Sequence, residues 1–313
     1  MSRYPEIDLA KLKRYKSADR LSKVDSSAFA KAGSVNLSAF WAQVPDILKA
    51  GELKELLDIC EAAFKQGKPV IIGMGGHVIK CGLAPLINEM MRLGAVKAVA
   101  VNGSVIIHDY EIAMSGRTSE DVSAALEDGS FGMAYDTADG INAIISRAKS
   151  AGLGLGEAVG KTLSETAPNQ ELSLLANAYR YNVPVTVHVA IGTDIIHQHA
   201  SADGAAIGET SLRDFRIFCN CLKDLNDGGV FLNFGSSVII PEVFLKAVSV
   251  VRNLGFPLQN FTTAVFDMNL QYRPLVNITQ RPVQKSGKGF YFTGHHEIMI
   301  PLFLLSLKER IAK

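Results

Sequence analysis

The feature that most constrains this chain is the rhythm of its apolar segments. Short runs that are hydrophobic at every position alternate with longer runs whose apolar residues recur every three or four positions. PVIIG, KAVAVNG, VPVTVHVA, GGVFLNFG and FTTAVFD read as five short strands. Continuous β-branched runs of this kind belong to strands buried on both faces, as in a parallel sheet. Between them, ELKELLDICEAAFKQG places Leu53, Leu56, Leu57, Cys60 and Phe64 at helical spacing and closes on Gly67. LAPLINEMMRLG does the same with Leu83, Ile87, Met90 and Met91 before Gly94. SEDVSAALED, ADGINAIISRAKS, ELSLLANAYRYN, SLRDFRIFCNCLKDLN, PEVFLKAVSVVRNLG and HEIMIPLFLLSLKER read as further helices. Ser38 is the candidate cap of a helix that precedes them all. The expected fold class is α/β: a Rossmann-like parallel sheet covered by helices on both faces.

No linker or fixed-period repeat divides the chain, so residues 46–313 are expected to form a single α/β domain. Residues 1–45 read as an N-terminal extension, made basic by Lys11, Lys13, Arg14, Lys16, Arg20 and Lys23. Over the whole chain charge is balanced: 32 Lys and Arg against 31 Asp and Glu give a net charge of +1. That balance argues against a nucleic-acid or anionic-membrane binder. No apolar run reaches the roughly 20 residues of a membrane span, and the N-terminus lacks a signal-peptide core. Four cysteines in 313 residues do not make a disulfide framework. The expectation is a cytoplasmic protein with reduced thiols.

In an open parallel sheet, ligands bind beyond the carboxyl ends of the strands. The five strands here run into Gly73, Gly75, Gly76 and His77; into Asn102, Gly103 and Ser104; into Thr193 and Asp194; into Gly235, Ser236 and Ser237; and into Asp267. Small polar residues let a ligand approach the backbone, so these positions are candidates for a shared binding cleft. The GMGGH turn is dinucleotide-like but departs from the strict fingerprint, because Val78 stands at the third glycine position.

Histidines gather beside these ends. His108 and Asp109 come after the second strand, and His197 and His199 after the third. Imidazole next to carboxylate suits proton transfer, so these four are the candidate catalytic residues. His188 reads equally well as a core histidine. Lys80, just after the glycine turn, could in principle form an imine. No spacing matches a zinc motif, and no metal is assigned.

The order of these motifs over roughly residues 65–311 resembles the deoxyhypusine synthase family and its NAD-binding fold. GGHVIKCGLAPLINEMMRLG, AVAVNGSVIIHDYEIA, NVPVTVHVAIGTD, GGVFLNFGSSVII, TTAVFDMN and HHEIMIPLFLLSLKER are similar to successive family segments. The resemblance implies NAD as cofactor and a homotetramer. It also implies an N-terminal segment able to cover the site entrance, and a ligand-contacting role for Asp194. Family members pass a butylamine group through an imine on a catalytic lysine. Here the lysine slot is held by Ile240, which cannot form an imine. Residues 267–292 carry Arg273, Arg281, Lys285 and Lys288 where the family has an acidic polyamine site, suggesting an anionic small-molecule ligand. The resemblance therefore implies an NAD-dependent transferase or oxidoreductase-like protein that makes no deoxyhypusine. Two alternatives stay open. One is a hydrolase or lyase in which Asp109, Glu111, Asp194, His197 and His199 hold a metal or activate water. The other is a non-catalytic ligand-binding protein.

Overall fold

Every residue of Val70–Met74 and Val230–Phe234 is buried, which only a strand covered on both faces achieves. In the computed structural model, which describes residues 36–312, these are β1 and β4 of a six-stranded parallel sheet. The remaining strands are β2 (Val96–Asn102), β3 (Val185–His188), β5 (Thr262–Asp267) and β6 (Lys288–Thr293). The order is β3-β2-β1-β4-β5-β6, and every pairing is parallel. The chain winds outward from β1 in one direction and from β4 in the other. The connections therefore reverse between β1 and β4, and a crevice opens at their carboxyl ends.

The helices, in chain order, are α1 (Leu37–Gln43), α2 (Leu48–Lys65), α3 (Gly76–Lys80), α4 (Ala84–Arg92), α5 (Gly103–Ser115), α6 (Val122–Asp128) and α7 (Tyr135–Ala151). They continue with α8 (Leu155–Thr166), α9 (Leu174–Arg180), α10 (Gly204–Leu222), α11 (Ile239–Asn253), the single turn α12 (Tyr272–Pro274) and α13 (His296–Ile311). The chain divides into two compact units, one up to Lys54 and one over Glu55–Lys313. In the first, α1 is capped by Asn36, whose side chain accepts from Ala39 N at 2.7 Å. The cap is thus two residues before the expected Ser38. The basic residues between Lys11 and Lys23 lie outside the described residues.

The second unit contains the sheet. One face packs on α10 and α11 through Phe218, Phe231, Phe244, Phe261 and Ile240, all essentially sealed from solvent. The Phe231 and Phe244 rings stack at 4.0 Å. Each such side chain contributes about 1.5–3 kcal/mol of burial. Aromatic rings pack elsewhere as well, with Phe266 5.1 Å from Phe303 of α13 and 5.3 Å from Phe234.

Apart from the single turn α12, three elements were not expected from the sequence. β6 forms from KGFYFT and extends the sheet beyond β5. α5 forms from GSVIIHDYEIAMS, whose three consecutive β-branched residues lower helix propensity and whose burial hides the helical period. α8 carries Gly156 and Gly160, which read as breakers. Both serve close packing: a Cβ on Gly156 would strike the carbonyl of Val185, and one on Gly160 would lie 2.6 Å from the carbonyl of Leu175. α8 thereby lies flush against the edge strand β3. There the buried Asp214 carboxylate accepts from Gly156 N at 2.9 Å and Val187 N at 2.8 Å. Among the described residues no helix is long and apolar enough to cross a membrane.

Candidate functional site

The carboxyl edge of the sheet carries a cleft of about 240 Å³, built by the segments that leave β1, β2 and β3. Lys80 comes from the end of α3; Ser104, His108 and Glu111 come from α5; Thr193 and Asp194 come from the loop after β3. On α5 the three residues stand at i, i+4 and i+7, one helical stripe facing the opening. Gly76 allows α5 to close on the β1 turn, since a Cβ there would stand 2.5 Å from Ser104 Oγ and 3.1 Å from His108 Cδ2.

Within the cleft a hydrogen-bonded relay fixes the state of His108. Thr118 Oγ1 donates to Glu111 Oε2 at 2.5 Å. Its single proton is thus spent, so the 2.7 Å contact between Thr118 Oγ1 and His108 Nδ1 requires His108 to donate. The proton sits on Nδ1, and Nε2 keeps a lone pair. Burial, reinforced by Lys80, pulls the imidazole down to about 4, so it is neutral at physiological pH.

Asp194 is the second notable group. It is 7% exposed and presses on the start of α5, where a Cβ on Gly103 would run into its carboxylate. Its Oδ2 is buried without a hydrogen-bond partner. Burial pushes its pKa from 3.8 up to about 6. A buried, unpaired acceptor is costly, and its presence in a cleft suits a ligand that brings a donor. His197 braces this loop: its Nδ1 accepts from Gly192 N at 3.1 Å and Asp194 N at 3.3 Å.

The other candidates divide. Asn102 ends β2 and accepts from Ser104 Oγ at 2.9 Å. Thr193 bonds the Ala190 carbonyl. Asp109 does not reach the cleft. It is fully buried on the far side of α5, accepting from Ser173 Oγ at 2.6 Å, Leu174 N at 2.6 Å and Leu175 N at 3.0 Å. It satisfies the first amides of α9, although burial pushes its carboxyl up to about 6. His199 is tied to the Gly132 carbonyl at 2.8 Å. The set Asp109, Glu111, Asp194, His197 and His199 therefore does not converge on one point.

Gly75 meets the β4 turn at the β1–β4 crevice, where its Cβ would lie 2.8 Å from the Gly235 carbonyl. Gly235 itself has φ +64° and faces the His296 ring. Ser236 Oγ accepts from Ile240 N at 3.2 Å and opens α11, with Ser237 beside it. Asp267 accepts from Asn269 N at 3.2 Å. Gly73 is a packing residue, because a Cβ there would stand 2.5 Å from Ile240 Cγ2 and 2.7 Å from Phe231. Ile240, in the expected lysine slot, is thereby locked in the core with no exposure.

The basic residues expected to line the site do not line this cleft: Arg281 and Lys288 border a separate pocket, and Lys285 is exposed. Arg273 pairs with Glu242 at 3.3 Å, Arg281 bonds Asn277 at 2.8 Å, and Lys288 pairs with Glu55. Lys288 begins β6, at the amino edge of the sheet, opposite the cleft. In the cleft Lys80 faces Glu111, Glu120 and Asp194, so its balance is acidic. Thr118 gives no signal in the sequence, because it arrives from the loop after α5 and no spacing marks it.

No family model matches the chain, and no curated protein matches it in sequence. Solved structures share its fold. A protein of Entamoeba histolytica provisionally assigned as a deoxyhypusine synthase aligns over 91% of this chain and 96% of its own, with 10% identity and a TM-score of 0.51. A LOR/SDH protein of Methanococcus maripaludis, also provisionally assigned, aligns over 93% of this chain and 74% of its own, with 13% identity and a TM-score of 0.50. The cyanobacterial arginine dihydrolase ArgZ aligns over 84% of this chain with 14% identity and a TM-score of 0.49. This chain spans about a third of that protein's length. At such identities the likeness speaks to the fold alone: an α/β, Rossmann-like sheet with deoxyhypusine synthase-type and LOR/SDH-type proteins among its structural neighbours.

Proposed function

We propose that this protein binds NAD along the carboxyl edge of its sheet and performs acid–base-assisted chemistry on a small molecule, without a lysine imine. The observation that carries the reading is Asp194 Oδ2, a buried acceptor left unpaired in a cleft. It sits beside a histidine held neutral with its Nε2 lone pair free. A ribose hydroxyl or an amide would supply the missing donor. The strand order, with its reversal between β1 and β4, supports a dinucleotide there.

The residues present fit such a ligand in part. Gly75 and Gly76 would admit the pyrophosphate close to the backbone, Ser104 would donate to it on turning its hydroxyl away from Asn102, and Asp194 would take a ribose hydroxyl. Asn102, where an acidic residue is usual, offers only an amide. The cleft is smaller than the ~300–1,000 Å³ of pockets that enclose a whole ligand. It would take one moiety, with Ser236 and Ser237 in the crevice available to hold the rest of a dinucleotide. NAD, when bound, supplies a hydride acceptor.

His108 Nε2 accepts a proton from the substrate, while Thr118 and Glu111 hold its ring in that tautomer. Asp194, with a pKa near 6, exchanges protons close to neutral pH. The acidic balance of the cleft favours a hydroxyl- or amine-bearing substrate over an anion. Four unpaired cysteines agree with a reducing, cytoplasmic setting, and a homo-oligomer accords with the family resemblance.

Calorimetric titration with NAD tests the reading. The expected result is micromolar binding, about −8 kcal/mol, weakened at least tenfold by Asp194→Leu. Absence of heat for NAD would refute it and favour a cofactor-free hydrolase built on the His108 relay.

A further inference from the structure

At the head of the β1–β4 crevice, three side chains with metal-ligating chemistry converge. His77 and Cys81 stand four residues apart at α3, which sets them on one helical face. Glu297 comes from the first turn of α13. His77 Nε2 lies 3.3 Å from Cys81 Sγ, and Cys81 Sγ lies 3.9 Å from Glu297 Oε2. One donor atom from each of the three lies within 4.8 Å of the other two. Among the described residues no other group of His, Cys, Asp or Glu meets that criterion.

These separations are those of a coordination shell. With Zn–S near 2.3 Å and Zn–N or Zn–O near 2.0–2.1 Å, the S···N and S···O edges of a tetrahedron come to about 3.5 Å. The two observed distances straddle that value, and the third pair, His77 and Glu297, is within 4.8 Å and reaches the ~3.4 Å edge of the same tetrahedron by side-chain rotation at these exposed positions. We propose that His77, Cys81 and Glu297 hold one zinc-class divalent ion whose fourth position is open to water or to an oxygen of a small molecule.

The donor set decides the class of ion. Thiolate and imidazole suit zinc, whereas magnesium and calcium require oxygen donors throughout. One thiolate and one carboxylate neutralise a divalent charge. Lys80 favours the thiolate, against burial and Glu297, which push the thiol up. On binding, the Cys81 thiol gives its proton to solvent and its sulfur lone pair to the ion, and no electrons change hands. His295 Nδ1, 3.7 Å from Glu297 Oε1, is placed to steady the carboxylate. Behind the cluster His296 is 2% exposed, its ring 5.4 Å from that of His77, with Nδ1 buried and unpaired. Three protein ligands and exposed His77 and Glu297 make an open site rather than a closed structural one. An ion there lies on the same edge as the Asp194 cleft and could polarise a substrate oxygen.

The test uses the full chain, stripped with chelator and titrated with Co²⁺. The expected result is one Co²⁺ per chain with an intense near-ultraviolet thiolate-to-cobalt band. Cys81→Ser abolishes the band, while Cys219→Ser and Cys221→Ser keep it. Glu297→Gln, an isosteric change at an exposed position, weakens binding by at least the roughly 10–100-fold that loss of an outer-shell partner costs. Zn²⁺ bleaches the band by displacement. No binding, binding without the band, a band that survives Cys81→Ser, or unchanged affinity in Glu297→Gln would each overturn the proposal. NAD takes no part in the experiment, so its outcome is separate from that of the cofactor reading.

Discussion

Replacing Asp194 by Asn should make the protein more stable and less able to bind its ligand. The carboxylate is almost sealed, and its pKa stands at about 6 against 3.8 in the ordinary state. That difference of about 2.2 units, at ~1.36 kcal/mol each, sets a ceiling of roughly 3 kcal/mol on the cost of keeping Asp194 charged in the fold. Proton binding sets the sign. Between pH 4 and 6 the folded state holds the Asp194 proton more tightly than the unfolded chain does. Stability therefore falls as pH rises through that window, and the full cost is present at pH 7. Asparagine keeps the shape and removes the charge, but leaves its own amide oxygen unpaired. A gain of about 1–2 kcal/mol at pH 7 is expected, shrinking toward zero below pH 4. Urea unfolding monitored by far-ultraviolet circular dichroism at pH 4 and pH 7 measures it. An Asn variant that is less stable at pH 7, or a difference that ignores pH, would refute the assignment of Asp194 as a buried charge with an unpaired Oδ2.

Three other substitutions probe different parts of the account. Asp109→Ala removes the acceptor for the Ser173 hydroxyl and two amides of α9, and should cost about 2–4 kcal/mol in urea unfolding while leaving NAD affinity of the folded protein unchanged. The His108 imidazole should titrate near pH 4 by NMR and move upward in Lys80→Met; a midpoint near 6.5 would contradict the buried relay. Ile240→Lys should form no borohydride-trappable imine. It should also cost about 4–5 kcal/mol at pH 7, because a core amine is held neutral far below its usual ~10.4; the loss eases as pH rises.

The sheet was legible because its strands are apolar on both faces, a pattern that little else produces. The ends of those strands were legible for the same reason: once the strands are placed, the carboxyl edge is placed with them. α5 was not, since Val105, Ile106 and Ile107 favour extended backbone and only tertiary burial makes them helical. That omission hid the stripe of Ser104, His108 and Glu111, which becomes visible as one face only on a helix. Asp109, beside His108 in sequence, points the opposite way on that helix, so adjacency misassigned it. Arg273, Arg281 and Lys288 show a different limit: charges grouped in sequence stay out of this cleft, Arg281 and Lys288 bordering a separate pocket, and the three engage Glu242, Asn277 and Glu55. Isoleucine at position 240 is enough to exclude an imine, but only the packing against Gly73 shows why the position is closed to any amine.

The most direct test of the central claim is a crystal structure of the protein with NAD. The pyrophosphate is expected against Gly75 and Gly76, with a ligand hydroxyl or amide within hydrogen-bond distance of Asp194 Oδ2. NAD bound away from the carboxyl edge of the sheet, or Asp194 Oδ2 still unpaired in the complex, would contradict it.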